Sequence, residues 1–139
     1  MVQLTWKESF CTGIDHIDNQ HRQFFVLFNE LDLAVEQRRE GGILDVLLSD
    51  LDRYVHIHFA DEERLMEGIG YPDLPRQRKE HEYFASEIKT QHVRLKSGDV
   101  RLGQSTLLFL RDWLTNHILT EDKKYSEFLF AGRPGPGLA

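Results

Sequence analysis

Apolar residues recur along this chain with the 3.6-residue period of an α-helix almost throughout, and no strand-like alternation lasts long enough to compete. The first stripe is Phe24, Phe25, Phe28, Leu31 and Val35, which predicts a helix from about Asp18 to Arg38. Gly41-Gly42 is expected to separate it from a second helix over Ile43 to Glu67. The inward series of that helix reads Leu44, Leu47, Leu48, Leu51, Val55, His58, Glu62, Leu65 and Met66, and Gly68, Gly70 and Pro72 end it. A third helix starts after Asp73, a residue suited to cap it, with Pro75 in the first turn where its missing N–H does no harm. Its stripe is Leu74, Gln77, His81, Phe84, Ile88 and Leu95, and Ser97-Gly98-Asp99 closes it. A fourth begins near Leu102 or Gln104 and carries Leu107, Leu110, Trp113, Leu114 and His117 inward. Four helices with short connections predict an all-α, up-down-up-down four-helix bundle. The residues before the first helix, Trp6 and Phe10 among them, are expected as an extended arm packed across the bundle.

Polar groups interrupt these stripes in a consistent way. His21 lies three and four residues before Phe24 and Phe25, on their face. His58 and Glu62 replace two apolar members of the second series, and both project from one side a turn apart. Gln77 and His81 repeat that spacing on the third helix. His117 and Asp122 are five apart, which a regular helix rotates by roughly 140°. Both face inward only if the helix is distorted or restarted between them, and Thr120 offers a cap for a restart. A lone inward histidine is more often a hydrogen-bonded core residue, but here four helices each offer one. A core does not bury such groups unpaired, since each ionised carboxylate taken from water costs several kcal/mol. Metal ions are the simplest common partner. Mixed imidazole and carboxylate donors suit iron, manganese or zinc, and carboxylates from two helices favour two ions over one. His16, His56 and His92 lack this support: the first precedes the helix, the second faces away, the third lies at a stripe's edge.

Composition narrows the setting. The chain has 139 residues, enough for one domain with a real core, and a net charge of −6, which argues against nucleic acid or an anionic membrane as partner. No apolar run is long enough to span a bilayer and no signal peptide is visible, so a cytoplasmic protein is expected. Cys11 is the only cysteine and is expected to be a minor packing residue. Residues 1–130 read as the bundle, and 131–139, with three glycines and two prolines, as a tail or linker stub.

The chain resembles a bacterial hemerythrin domain from roughly Trp6 to Phe128. The matching stretches are Gly13-Ile14, Ile17-Asp18-Asn19-Gln20-His21, His58-Phe59-Ala60-Asp61-Glu62-Glu63 with Met66, Glu80-His81, and Trp113-Leu114-Thr115-Asn116-His117-Ile118 followed by Asp122. The resemblance implies two non-haem irons with a bridging oxo or hydroxo group, held by His21, His58, Glu62, His81, His117 and Asp122. Glu62 and Asp122 would bridge them. It implies reversible O₂ binding at the iron carrying His21 and His58, with Phe59, Trp113, Leu114 and Ile118 around the bound O₂. The family has a histidine where this chain has Gln77. An amide oxygen is a weak, neutral donor, so water or a small anion is expected at that position.

The leading expectation is therefore an O₂ carrier, store or sensor with no catalytic residues. One alternative is a di-iron enzyme reducing O₂ or peroxide, although no general-base or substrate-pocket pattern supports a defined reaction. The other is a redox- or O₂-sensing module that signals through its tail to a further domain.

Overall fold

The structure is a computed structural model that describes residues 3–37, 41–97 and 104–131. Helix α1 spans Asp15–Glu36, α2 Gly41–Gly68, α3 Leu74–Ser97 and α4 Gln104–His117. A five-residue π-helical segment, Ile118–Asp122, continues α4 into α5, Lys123–Phe130. No strand occurs among the described residues. The expected four-helix bundle is present: α2 packs against α1 and α3, α1 packs against α4, and Phe84 of α3 stacks on Trp113 of α4 at 4.1 Å.

Three local expectations need correction. The Gly41-Gly42 pair does not separate helices but forms the first turn of α2. The packing of Leu44, Leu48 and Leu51 outweighs the modest cost of helical glycine. α1 begins at Asp15 rather than Asp18, so His16 lies in its first turn. The two acidic residues there, Asp15 and Asp18, suit the positive end of the helix dipole, and the added turn buries Ile17. Thr120 does not restart a helix: its hydroxyl donates to the Asn116 carbonyl at 2.6 Å, and the backbone widens into the π segment instead. The tail expected over 131–139 falls, beyond Ala131, outside the described residues.

The N-terminal arm crosses the bundle as expected, with a single 3₁₀ turn at Glu8–Phe10. The Leu4 amide donates to Asn29 Oδ1 at 2.7 Å and the Asn29 amide returns a bond to the Leu4 carbonyl at 2.8 Å. Asp18 accepts from the Thr12 hydroxyl and from the backbone amides of Thr12 and Gly13. Gly13 sits at φ 85°, a left-handed conformation that favours glycine. At the other end, Lys123 Nζ donates to the Cys11 carbonyl at 2.6 Å, and Ser126 donates to the Thr12 carbonyl. The arm thus ties α1 to α5.

Two apolar clusters fill the interior. The larger gathers Phe24, Phe28, Leu31, Leu48, Val55, Ile88 and Leu107. The smaller holds Ile17, Met66, Tyr71, Leu74 and Tyr125. The polar members of the helical stripes are buried between these two groups of side chains.

Candidate metal centre

Every polar residue expected on an inward face is there. His21 comes from α1, His58 and Glu62 from α2, Gln77 and His81 from α3, His117 from α4 and Asp122 from the π segment. None is more than 4 % exposed. The wider π turn brings His117 and Asp122 to one side despite their five-residue spacing, with His117 Nε2 3.2 Å from Asp122 Oδ1.

The donor atoms form two groups that share one carboxylate. His21, His58 and Glu62 make the first; Glu62, His81, His117 and Asp122 make the second. Glu62 Oε1 lies 2.9 Å from His58 Nε2 and 3.4 Å from His81 Nε2, so a single oxygen faces imidazoles of both groups. Asp122 divides its oxygens: Oδ2 is 3.2 Å from His21 Nε2 and Oδ1 faces His117. Gln77 Nε2 donates to that same Oδ1 at 3.2 Å.

These close approaches are not a completed hydrogen-bond network. His21 Nε2, His81 Nε2, His117 Nε2, Glu62 Oε1, Asp122 Oδ2 and Gln77 Oε1 are all buried and without a hydrogen-bond partner. Native interiors leave few such atoms, and each costs on the order of 1–3 kcal/mol. Imidazole nitrogens and carboxylate oxygens converging without completed hydrogen bonds are a cation's donor set, and iron, manganese and zinc all accept this mixture. The residues present therefore fit a pair of metal ions.

Outer hydrogen bonds orient the imidazoles. His58 Nδ1 donates to Gln20 Oε1 at 2.7 Å, and Gln20 in turn donates to Asp61 at 2.7 Å. His81 Nδ1 donates to Glu63 Oε2 at 2.9 Å. Glu80 Oε2 lies 3.4 Å from His117 Nδ1. With the proton held on Nδ1, the Nε2 lone pairs of His58 and His81 are free for a metal. Tyr125 donates to Glu62 Oε2 at 2.6 Å and fixes that carboxylate from the far side.

Charge in the cluster favours bound cations. Burial pushes the His117 imidazole down, but the Asp122 carboxylate outweighs it and raises the pKa to about 10. The same contest raises His21, again through Asp122. Burial wins at His58, which is pushed down despite Glu62. Burial also opposes ionisation of Glu62 and Asp122, yet the facing imidazoles hold both carboxyls below their usual range. Burial and the nearby Glu62 charge push the Tyr125 hydroxyl well above its ordinary value, so it remains a donor.

The three histidines set aside from the sequence stand apart. His56 is exposed beside Asp52, His16 is exposed beside Asp61, and His92 bonds to Asp45 at 2.6 Å near the far end of α3. The sequence reading did not single out Gln20, Glu63, Glu80 or Tyr125 as partners of the candidate ligands. Their signal is position: the first three are chain neighbours of His21, Glu62 and His81, and Tyr125 is one turn beyond Asp122.

The family described as Hemerythrin HHE cation binding domain matches residues 12–129. The chain belongs to the hemerythrin family. The bacteriohemerythrin of Stenotrophomonas maltophilia (strain R551-3) is 32% identical over 127 residues, covering 91% of this chain and 82% of that protein. The bacteriohemerythrin of Methylococcus capsulatus (strain Bath) is 34% identical over 135 residues, covering 94% of this chain and 100% of the relative. A crystal structure of wild-type hemerythrin superposes with a TM-score of 0.86 at 31% identity, over 92% of this chain and 98% of that one. A hemerythrin-family cation-binding domain thus spans the four helices and all the donor groups.

Proposed function

We propose that this chain is a non-haem di-iron protein that binds O₂ reversibly, as members of the hemerythrin family carry or sense oxygen rather than catalyse a reaction. The observation that carries the reading is the pair of buried donor groups meeting at Glu62. In this reading His21, His58 and Glu62 hold one iron. Glu62, His81, His117 and Asp122 hold the other. Asp122 would also help to hold the first, since its second oxygen faces His21. Iron bound there would supply the redox chemistry for reversible O₂ binding.

The side chains do the rest. Gln20 and Glu63 hold their imidazole rings in the ligating tautomer, and Tyr125 keeps Glu62 turned inward. Phe59, Leu114 and Ile118 are buried, and Trp113 stacks on His117 at 4.6 Å. Phe59 lies flat against His81 at 3.8 Å. This apolar lining excludes water from the cluster, which limits loss of electrons to solvent-assisted side reactions. No helix among the described residues is long and apolar enough to cross a membrane.

The test is optical. Reduced, iron-loaded protein exposed to O₂ should gain a visible charge-transfer band that disappears under argon and returns over repeated cycles. A single irreversible change, with no recovery under argon, would reject reversible binding and favour O₂ reduction.

A further inference from the structure

We propose that the second iron carries its own exchangeable small-ligand position, at Gln77, separate from the O₂ position on the first. The inference rests on the di-iron reading above. Gln77 lies one turn before His81 on the buried face of α3 and is 0 % exposed. It stands beside Asp122 and offers neither imidazole nor carboxylate. A carboxylate can only accept, so the Asp122 contact fixes the amide N–H₂ toward Oδ1 and turns Oε1 away from it. That oxygen is buried and has no hydrogen-bond partner.

A neutral amide oxygen is a poor competitor for a metal already facing two carboxylates. Anchored through its nitrogen, Gln77 stands beside the ion without closing its coordination sphere. Oε1 then faces a small protic ligand such as water, which an anion of similar size can displace. The second iron does not need a third imidazole to be retained. Glu63 accepts from His81 at 2.9 Å, and such carboxylate backing makes an imidazole a stronger donor, while the Glu80 carboxylate lies 3.4 Å from His117 Nδ1. His58 in the first group has only the Gln20 amide behind it. Each ion is therefore held by two imidazoles, and a carboxylate backs His81 in the second group where an amide backs His58 in the first.

Azide serves as the probe. Oxidised, iron-loaded protein is dialysed against sodium azide, and bound azide and total iron are counted on the same sample. Two azides per two irons are expected in the wild-type chain. Gln77→His, which adds an imidazole at the same place, should lower the count to one and slow iron loss to a chelator roughly tenfold. One azide in the wild-type protein, or two in the variant, overturns the second position and leaves the di-iron reading intact. Fewer than two irons per wild-type chain overturns both. The wild-type count decides the matter even where the variant fails to load.

Discussion

At the scale of single residues, Glu62 and Asp122 carry the strongest claim. Each presents oxygens to imidazoles of both donor groups, so removing either breaks both sites at once. Glu62→Ala or Asp122→Ala should leave less than one iron per chain, whereas His56→Ala and His92→Ala should keep two, as read by metal analysis after gel filtration. Equal loss in all four would refute the assignment. Proton release gives an independent check. His117, held near 10 by Asp122, is protonated at pH 8 in the ion-free chain and must lose that proton to ligate. Iron(II) loading at pH 8 in weak buffer should therefore release about one proton per chain or more, measured with an indicator dye; no acidification would contradict it. Six of the seven inward polar residues were legible because each replaces an apolar member of a regular stripe, whereas Asp122, five residues after His117, faces inward only through the π segment. Gln20, Glu63 and Glu80 were not, because they point sideways off the stripe toward a neighbouring helix. Only the packing of one helix on the next reveals which imidazole each one meets.

At the scale of elements, the π segment decides whether α4 contributes one ligand or two. π-bulges of this kind recur at functional sites because one extra residue re-aims a side chain without ending the helix. Deleting Leu119, which is 41% exposed, restores the four-residue spacing at which an α-helix places two side chains on one face. That deletion should keep two irons, whereas inserting an alanine after Leu119 should cost the Asp122 half of the site and lower the count to one or none. Metal analysis of the two proteins distinguishes them, and the reverse ranking would show that the π geometry does more than set register. Here the sequence exposed the problem without its solution. Five-residue spacing demands a distortion, but Thr120 reads equally well as a cap and as a residue bonding back to Asn116. The first turns of α1 and α2 escaped for a related reason. Local signals from Gly41-Gly42 and from the chain before Asp18 are weak, and packing of Ile17 and Leu44 overrides them.

At the scale of the molecule, the bundle encloses a polar cluster between two apolar ones, with the arm binding the helices at one end. Two buried carboxylates and four buried imidazoles weaken such a core unless ions neutralise it. Bound iron at a hundredfold excess over its dissociation constant contributes about 2.7 kcal/mol. For a chain of this size, chelation should then lower Tm by roughly 5–10 °C. A calorimetric scan with and without chelator tests this, and an unchanged Tm would mean that the donor groups are satisfied without metal. The bundle itself was legible from periodicity alone, since every stripe found its partner.

The central claim is that a pair of irons in one chain binds a single O₂ reversibly. It is tested most directly by measuring O₂ uptake against total iron in the reduced protein, with recovery of free O₂ on purging. The account predicts one O₂ per two irons, taken up and released in full. Uptake without release, or one O₂ per iron, would contradict it.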